Sequence, residues 1–178
     1  MSSVTIAGDT SGSIILAAPA IAGANTATLP AATGTVMVSG NMPAFSAYKS
    51  GSNQTVSNST ATKVTFESEE FDTASCFASS RFTPTVAGYY QINAVVFISQ
   101  TSQTDTTTWL YKNGSQYKRG FGLTGTTSKQ QMTLNCLVYL NGSTDYVEVY
   151  VYSDGSGSAL VDASQINTWF QGSMVRGA

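Results

Sequence analysis

The chain has 178 residues, no histidine, and eight Lys and Arg against ten Asp and Glu, for a formal charge of −2. Only 10% of its residues are charged, against about a quarter in ordinary soluble domains. Such a balance gives no general attraction for phosphate backbones, so nucleic-acid binding is not expected. The missing histidine removes the usual general base of Ser and Cys nucleophile systems and the commonest zinc ligand.

The first forty residues have a texture of their own. Val4-Thr5-Ile6-Ala7-Gly8, then Gly12 to Pro19, then Asn25 to Pro30 and Thr33 to Val38 are short β-prone pieces punctuated by Gly and Pro. Met1-Ser2-Ser3 lacks the basic start of a secretory signal, and Ile14-Ile15-Leu16-Ala17-Ala18 is too short for its apolar segment. No apolar run is long enough to cross a bilayer, so folding in a cytoplasm without membrane insertion is expected. With no aromatic residue, this strip cannot build a core alone. Yet Ile14, Ile15, Leu16, Leu29 and Val36 keep it apolar, so it calls for a partner surface. Asn41-Met42-Pro43 reads as the hinge that ends it, giving an arm over 1–43 and a head over 44–178.

From Ala44 onward the chain alternates strands and turns. Strands are expected over Ala61 to Phe66, Gly88 to Ile98 and Trp109 to Lys112, the last reaching the hairpin signal Asn113-Gly114. Others run from Gln131 to Leu140 before Asn141-Gly142, from Asp145 to Tyr152, and from Thr168 to Val175. The intervening Ser99 to Thr107, Ser115 to Ser128 and Ser153 to Ser158 read as polar loops, with Gly122 to Thr127 as a turn. No window fits an amphipathic helix, so the head is expected to be an all-β sandwich. Cys76 and Cys136 show no metal-ligand spacing and read as small core residues.

Two strands look apolar on both faces. In Tyr146 to Tyr152 the valines suit a core, leaving Tyr146, Tyr150 and Tyr152 outside. In Gln131 to Leu140, Leu137 and Tyr139 oppose the core positions. Exposed apolar faces are rare on soluble monomers, so the three tyrosines are candidates for a subunit interface.

The head resembles the C1q/tumour-necrosis-factor-like jelly roll. The resemblance rests on Pro43-Ala44-Phe45-Ser46-Ala47, on Lys63 to Phe66 followed by Phe71-Asp72, and above all on Arg81-Phe82-Thr83-Pro84 leading to Gly88-Tyr89-Tyr90. Leu110 to Gly114, Asn141 to Val149 and Phe170-Gln171-Gly172 complete it over residues 44–178. The family's Gly-Asp turn is split here by Ser143-Thr144, which implies a longer or reshaped turn. Phe82, Tyr89 and Phe170 are expected to knit the two sheets, and Gly88 to permit a close backbone approach or tight turn. The resemblance implies a compact homotrimer with ligands on exposed loops. The arm, Gly12 to Ala20 and Gly23 to Val36, resembles a segment of phage tail-fibre and virion-surface proteins.

Chemistry is sparse. Glu67, Glu69, Glu70 and Asp72 form the one acidic cluster and read as a solvated edge rather than a hydrolase pair. Asp72, Asp105, Asp145 and Asp154 could each meet a hard cation, but no spacing defines a site. Gly122 to Thr127 lacks the ending of a phosphate loop. No cofactor and no enzymatic activity are expected. Ligand contact is expected from Tyr117, Lys118, Arg119 and Phe121, where aromatic and basic side chains adjoin. The resemblances imply a virion protein on the tail or capsid surface. One reading is an adhesin whose arm joins other virion proteins and whose head meets a host surface glycan or protein; the other is a capsid decoration protein.

Overall fold

A computed structural model describes residues 3–29 and 31–178, without the side chains of Thr126 and Thr127; Met1, Ser2 and Pro30 of the arm lie outside it. The chain divides into two compact units, Met1–Gly34 and Thr35–Ala178. In the first, β1 (Ser3–Ala7) pairs antiparallel with β2 (Ser13–Ala17) around a turn closed by the Gly8 amide donating to the Gly12 carbonyl at 3.0 Å. Every described residue of this hairpin is exposed.

The second unit is all-β apart from one 3-10 turn at Ser39–Asn41. Its strands are β3 (Ala44–Tyr48), β4 (Gln54–Val56), β5 (Thr62–Lys63), β6 (Ser68–Asp72), β7 (Phe77–Ala78) and β8 (Arg81–Phe82). Then come β9 (Ala87–Lys112), β10 (Ser115–Asn141), β11 (Val147–Gly155), β12 (Ala159–Val161) and β13 (Trp169–Gly177). The main path of the sheet runs β6-β3-β13-β9-β11-β8-β7. Strands β9 and β10 form one long hairpin around Asn113-Gly114, both residues having positive φ.

Strand β9 belongs to both layers. Its first half pairs with β13 and its second half with β11, while β10 follows it on the other side throughout. The layers fold over one another, because Phe45 on β3 stacks on Phe82 of β8 at 4.4 Å and on Phe77 of β7 at 4.9 Å. Phe170 meets Phe45 edge-on at 4.9 Å, and Tyr90 meets Phe82 at 5.4 Å. Such ring pairs add about 0.5–1.5 kcal/mol each beyond their buried area.

Three expectations need correction. The polar stretches Ser99 to Thr107 and Ser115 to Ser128 are continuous strand, as is Ser153 to Gly155, and Gly122 to Thr127 is no turn. Register shifts between Gln116 and Lys118 and between Arg119 and Gly122 absorb extra residues without breaking the ladder. Second, Tyr90 rather than Tyr89 knits the sheets: Tyr90 is fully buried, its hydroxyl donating to the Val86 carbonyl at 2.6 Å, and Tyr89 faces outward. Third, the strand expected over Ala61 to Phe66 is confined to Thr62–Lys63. Met37 packs against the head's core, in the compact unit that begins at Thr35.

Several packing expectations are met. A Cβ on Gly88 would collide with the Arg176 carbonyl of β13, and one on Gly120 would lie 2.6 Å from the Thr133 carbonyl, where the two halves of β10 close on each other. Val147, Val149 and Val151 are core, as are Met132, Leu134, Val138 and Leu140. In the split turn the Asn141 side-chain oxygen accepts from the amides of Ser143, Thr144 and Asp145 within 3.0 Å. Cys76 is buried, Cys136 half-buried, and both are free.

Candidate functional site

Tyr117, Lys118, Arg119 and Phe121 lie on β10, the strand whose outer side pairs with no other strand among the described residues. The two bulges fall among them. Tyr117 and Phe121 are 41% and 50% exposed, which suits the use of a bulge to re-aim a side chain. The Lys118 ammonium lies 5.3 Å from the centre of the Tyr117 ring, and the Arg119 guanidinium donates to the Thr107 hydroxyl at 2.7 Å. The four residues therefore form one exposed aromatic and basic strip, on a strand rather than a loop. Burial pushes the thiol of Cys136 up to about 11, against the lowering charge of nearby Lys118.

Tyr146, just before β11, and Tyr150 and Tyr152 on it lie on the outer side of the layer β9-β11. Each has a partner in its own chain. Tyr150 stacks on Tyr111 at 3.8 Å, Tyr152 meets Trp109 edge-on at 5.8 Å, and the Arg81 guanidinium sits 3.8 Å above the Tyr146 ring. Burial raises the pKa of the Tyr150 hydroxyl, with the Glu148 charge adding to it. Glu148 is itself buried between these tyrosines, one oxygen accepting from Lys63 at 2.7 Å and Arg81 at 3.0 Å. The expectation of a bare tyrosine face thus meets a half-buried, internally paired one.

A barer apolar surface lies on the other layer, β6-β3-β13-β9-β10. Tyr89, Leu137 and Tyr139 point outward there, 40–51% exposed, with the Tyr89 and Tyr139 rings 5.5 Å apart. At the β3-β6 side of the same layer is a cavity of about 480 Å³ lined by Ser46, Tyr48, Glu70, Gln165, Ile166, Trp169 and Gln171. Tyr48 and Trp169 are direct register partners, as are Ser46 and Gln171. The Glu70 carboxylate accepts from the Ser46 hydroxyl at 2.7 Å and the Gln165 amide at 2.6 Å. Those two hydrogen bonds hold its pKa below the ordinary carboxylate value.

Sequence reasoning missed this cavity. It treated Glu67 to Asp72 as one cluster, whereas the strand distributes it. Glu67 pairs with buried Lys49 at 2.8 Å, Asp72 accepts from the amides of Ala74 and Phe77, Glu69 faces solvent, and Glu70 reaches the cavity. Among the described residues no three His, Cys, Asp or Glu side chains converge as for a metal ion.

On the arm, Ile14 and Leu16 stand opposite Ile6 and Val4, making one aliphatic face, and Ile15 lies on the other. Leu29 is exposed outside regular structure, and Val36 is exposed within the second unit.

No protein-family model and no curated protein matches this chain. Solved structures do. The crystal structure of murine APRIL at pH 8.5 matches with 10% identity and a TM-score of 0.56, covering 75% of this chain and 99% of that one. The globular domain of zebrafish complement 1qA protein matches with 17% identity and a TM-score of 0.52, covering 76% and 98%. Eiger TNF from S. frugiperda matches with 11% identity and a TM-score of 0.59, covering 78% and 95%. The fold of this chain is therefore the jelly roll of tumour-necrosis-factor and C1q globular domains.

Proposed function

We propose that the chain is a phage virion protein, a homotrimeric adhesin that attaches through its arm and presents its head to a host surface glycan or protein. The observation that carries this reading is the joining of a C1q-like jelly roll to an aliphatic hairpin that buries none of its side chains. A two-stranded hairpin alone is marginal in water, so Ile14, Leu16 and their partners fit a role in docking on other virion proteins. The exposed strip of Tyr117, Lys118, Arg119 and Phe121 supplies rings and cations without committing them to the core. No catalytic chemistry is assigned to the chain.

Labelling intact particles with an antibody against the head tests the reading. Signal at the tail, together with blocked adsorption when purified head is added, supports the adhesin. Replacing Tyr117 and Arg119 by Ala should weaken binding of the head to host cells by about tenfold, with only a small fall in melting temperature from the lost hydrogen bond to Thr107. Capsid decoration is favoured by one observation: only residues 18–34 separate the hairpin from the head unit, with no regular element among the described residues there. Signal over the capsid, with adsorption unaffected by free head, would establish that second reading instead.

A further inference from the structure

We infer that the cavity between β3, β6 and β13 is a binding site for a neutral saccharide residue. The inference rests on reading the head as a binding module and is independent of where the arm attaches.

Its size falls within the range of small-molecule sites, about 300–1,000 Å³. Its chemistry is that of a pyranose ring turned inside out. Tyr48 and Trp169, paired across β3 and β13, bring aromatic surface to the cavity. The carbon-bound hydrogens on the flat face of a sugar need such a surface. Glu70, Gln165 and Gln171 bring a carboxylate and two amides, groups that accept from and donate to adjacent hydroxyls. Glu70 is already oriented by Ser46 and Gln165, so a ligand would meet a charge-assisted acceptor fixed in place.

The charge selects among sugars. Glu70 is ionised at neutral pH, its carboxyl held low by its two hydrogen bonds, and no Lys or Arg lines the cavity. Uronates and sialates would be repelled, and neutral hexoses would not. A quaternary ammonium would also suit a carboxylate beside aromatic rings, but it makes no use of Gln165 and Gln171. The cavity lies on β3, β6 and β13, whereas Tyr89, Leu137 and Tyr139 lie on β9 and β10 at the other side of that layer.

The test uses the full chain and saturation-transfer NMR with the methyl glycosides of glucose, galactose and mannose as probes, and choline and glucuronate alongside. Saturable transfer to at least one neutral glycoside is expected, with none to glucuronate. Glu70→Ala should weaken it by about tenfold, the loss of one hydrogen bond to a charged partner, and Gln165→Ala by a smaller factor, the loss of a neutral one and of a group that orients Glu70. Both residues are exposed; Gln165→Ala should leave the melting temperature unchanged, and Glu70→Ala should lower it only slightly, by unpairing the buried Ser46 hydroxyl. Transfer to choline alone, or binding indifferent to both variants, overturns the inference. So does dissociation of the oligomer in either variant, which would assign the cavity to contact between copies. Cell binding by the head without binding of any neutral glycoside would overturn this site and leave the adhesin reading standing; loss of both would overturn both.

Discussion

At the residue scale, strand parity decides most roles, and one position can reverse them. Tyr89 and Tyr90 are chemically identical neighbours. Gly88 faces the core, so Tyr90 does as well, and Tyr89 goes to solvent. The motif was legible in the sequence, but its phase was not, because two consecutive tyrosines satisfy either face. Asp145 shows the opposite case, a polar residue whose role only the fold reveals. Inserted Ser143 and Thr144 carry it back to Lys112 at 2.9 Å and to the Asn113 amide at 2.8 Å. The Asn113 hydrogen bond is the largest influence lowering its pKa, burial opposes it, and Lys112 adds to the lowering. A depressed folded pKa means stability that is present above the unfolded value and lost as pH falls through the folded one. Melting temperature should therefore begin to drop near pH 3.8, the ordinary Asp value, and go on dropping below it. Asp145→Asn should melt lower than the parent at neutral pH and show a shallower acid decline. An identical acid slope in the two proteins would remove Asp145 from the account. Glu67 adds a decline of its own that begins higher, near its ordinary value of 4.5. Burial is the largest influence on it and raises its pKa, but hydrogen bonds from Lys49, Thr65 and Ser50 together with the Lys49 charge outweigh that.

At the element scale, the long hairpin β9-β10 is what the sequence concealed. Its middle, rich in Ser, Thr, Gln and Gly, carries the composition of loops. Hydrophobic patterning fails there because the interior itself turns polar: Gln103, Thr106, Thr108 and Ser153 are all buried at this end of the sandwich. Threonine is β-branched and suits a pleated strand, so the ladder continues where apolar alternation stops. In strands with apolar alternation, such as Val147 to Val151, the facing of each residue was legible, although β11 starts two residues later and ends three later than expected. The cavity was not, because Glu70, Gln165 and Trp169 come from β6, a connecting segment and β13, which only the topology brings together. The packing of Met37 on the core was not legible either, since it carries no periodic signal. This gives a prediction about truncation. A chain beginning at Thr35 should melt within about 2 °C of the full chain, whereas one beginning at Pro43 should melt several degrees lower, having lost the packing of Met37. Equal melting of the two truncated chains would show that Met37 contributes nothing to the core.

At the scale of the whole molecule, the two outer faces differ in how much of their apolar surface they leave bare. The β9-β11 face satisfies itself: aromatic rings stack on one another, and Lys63 and Arg81 both pair with buried Glu148. Breaking that arrangement would leave a buried charge without partners, which is costly, and association through it would gain little fresh apolar burial. The opposite layer leaves Tyr89, Leu137 and Tyr139 bare on neighbouring strands, beside the open edge of β10. Contiguous exposed apolar surface of this kind marks an interface, and aromatic residues are favoured at interface centres. The proposed homotrimer is therefore expected to close around these three residues rather than around Tyr146, Tyr150 and Tyr152. Sedimentation should find three chains per particle at micromolar concentration for the full protein. Leu137→Glu, alone or with Tyr139→Glu, should release monomers that keep the β-sheet signature, because both side chains point away from the core. Tyr150→Glu should instead lower the melting temperature, by unstacking Tyr111 and setting a second carboxylate beside Glu148. Trimers that survive Leu137→Glu and Tyr139→Glu but dissociate with Tyr152→Glu would return the interface to the tyrosine face. A parent protein that sediments as a monomer would end the trimeric reading altogether.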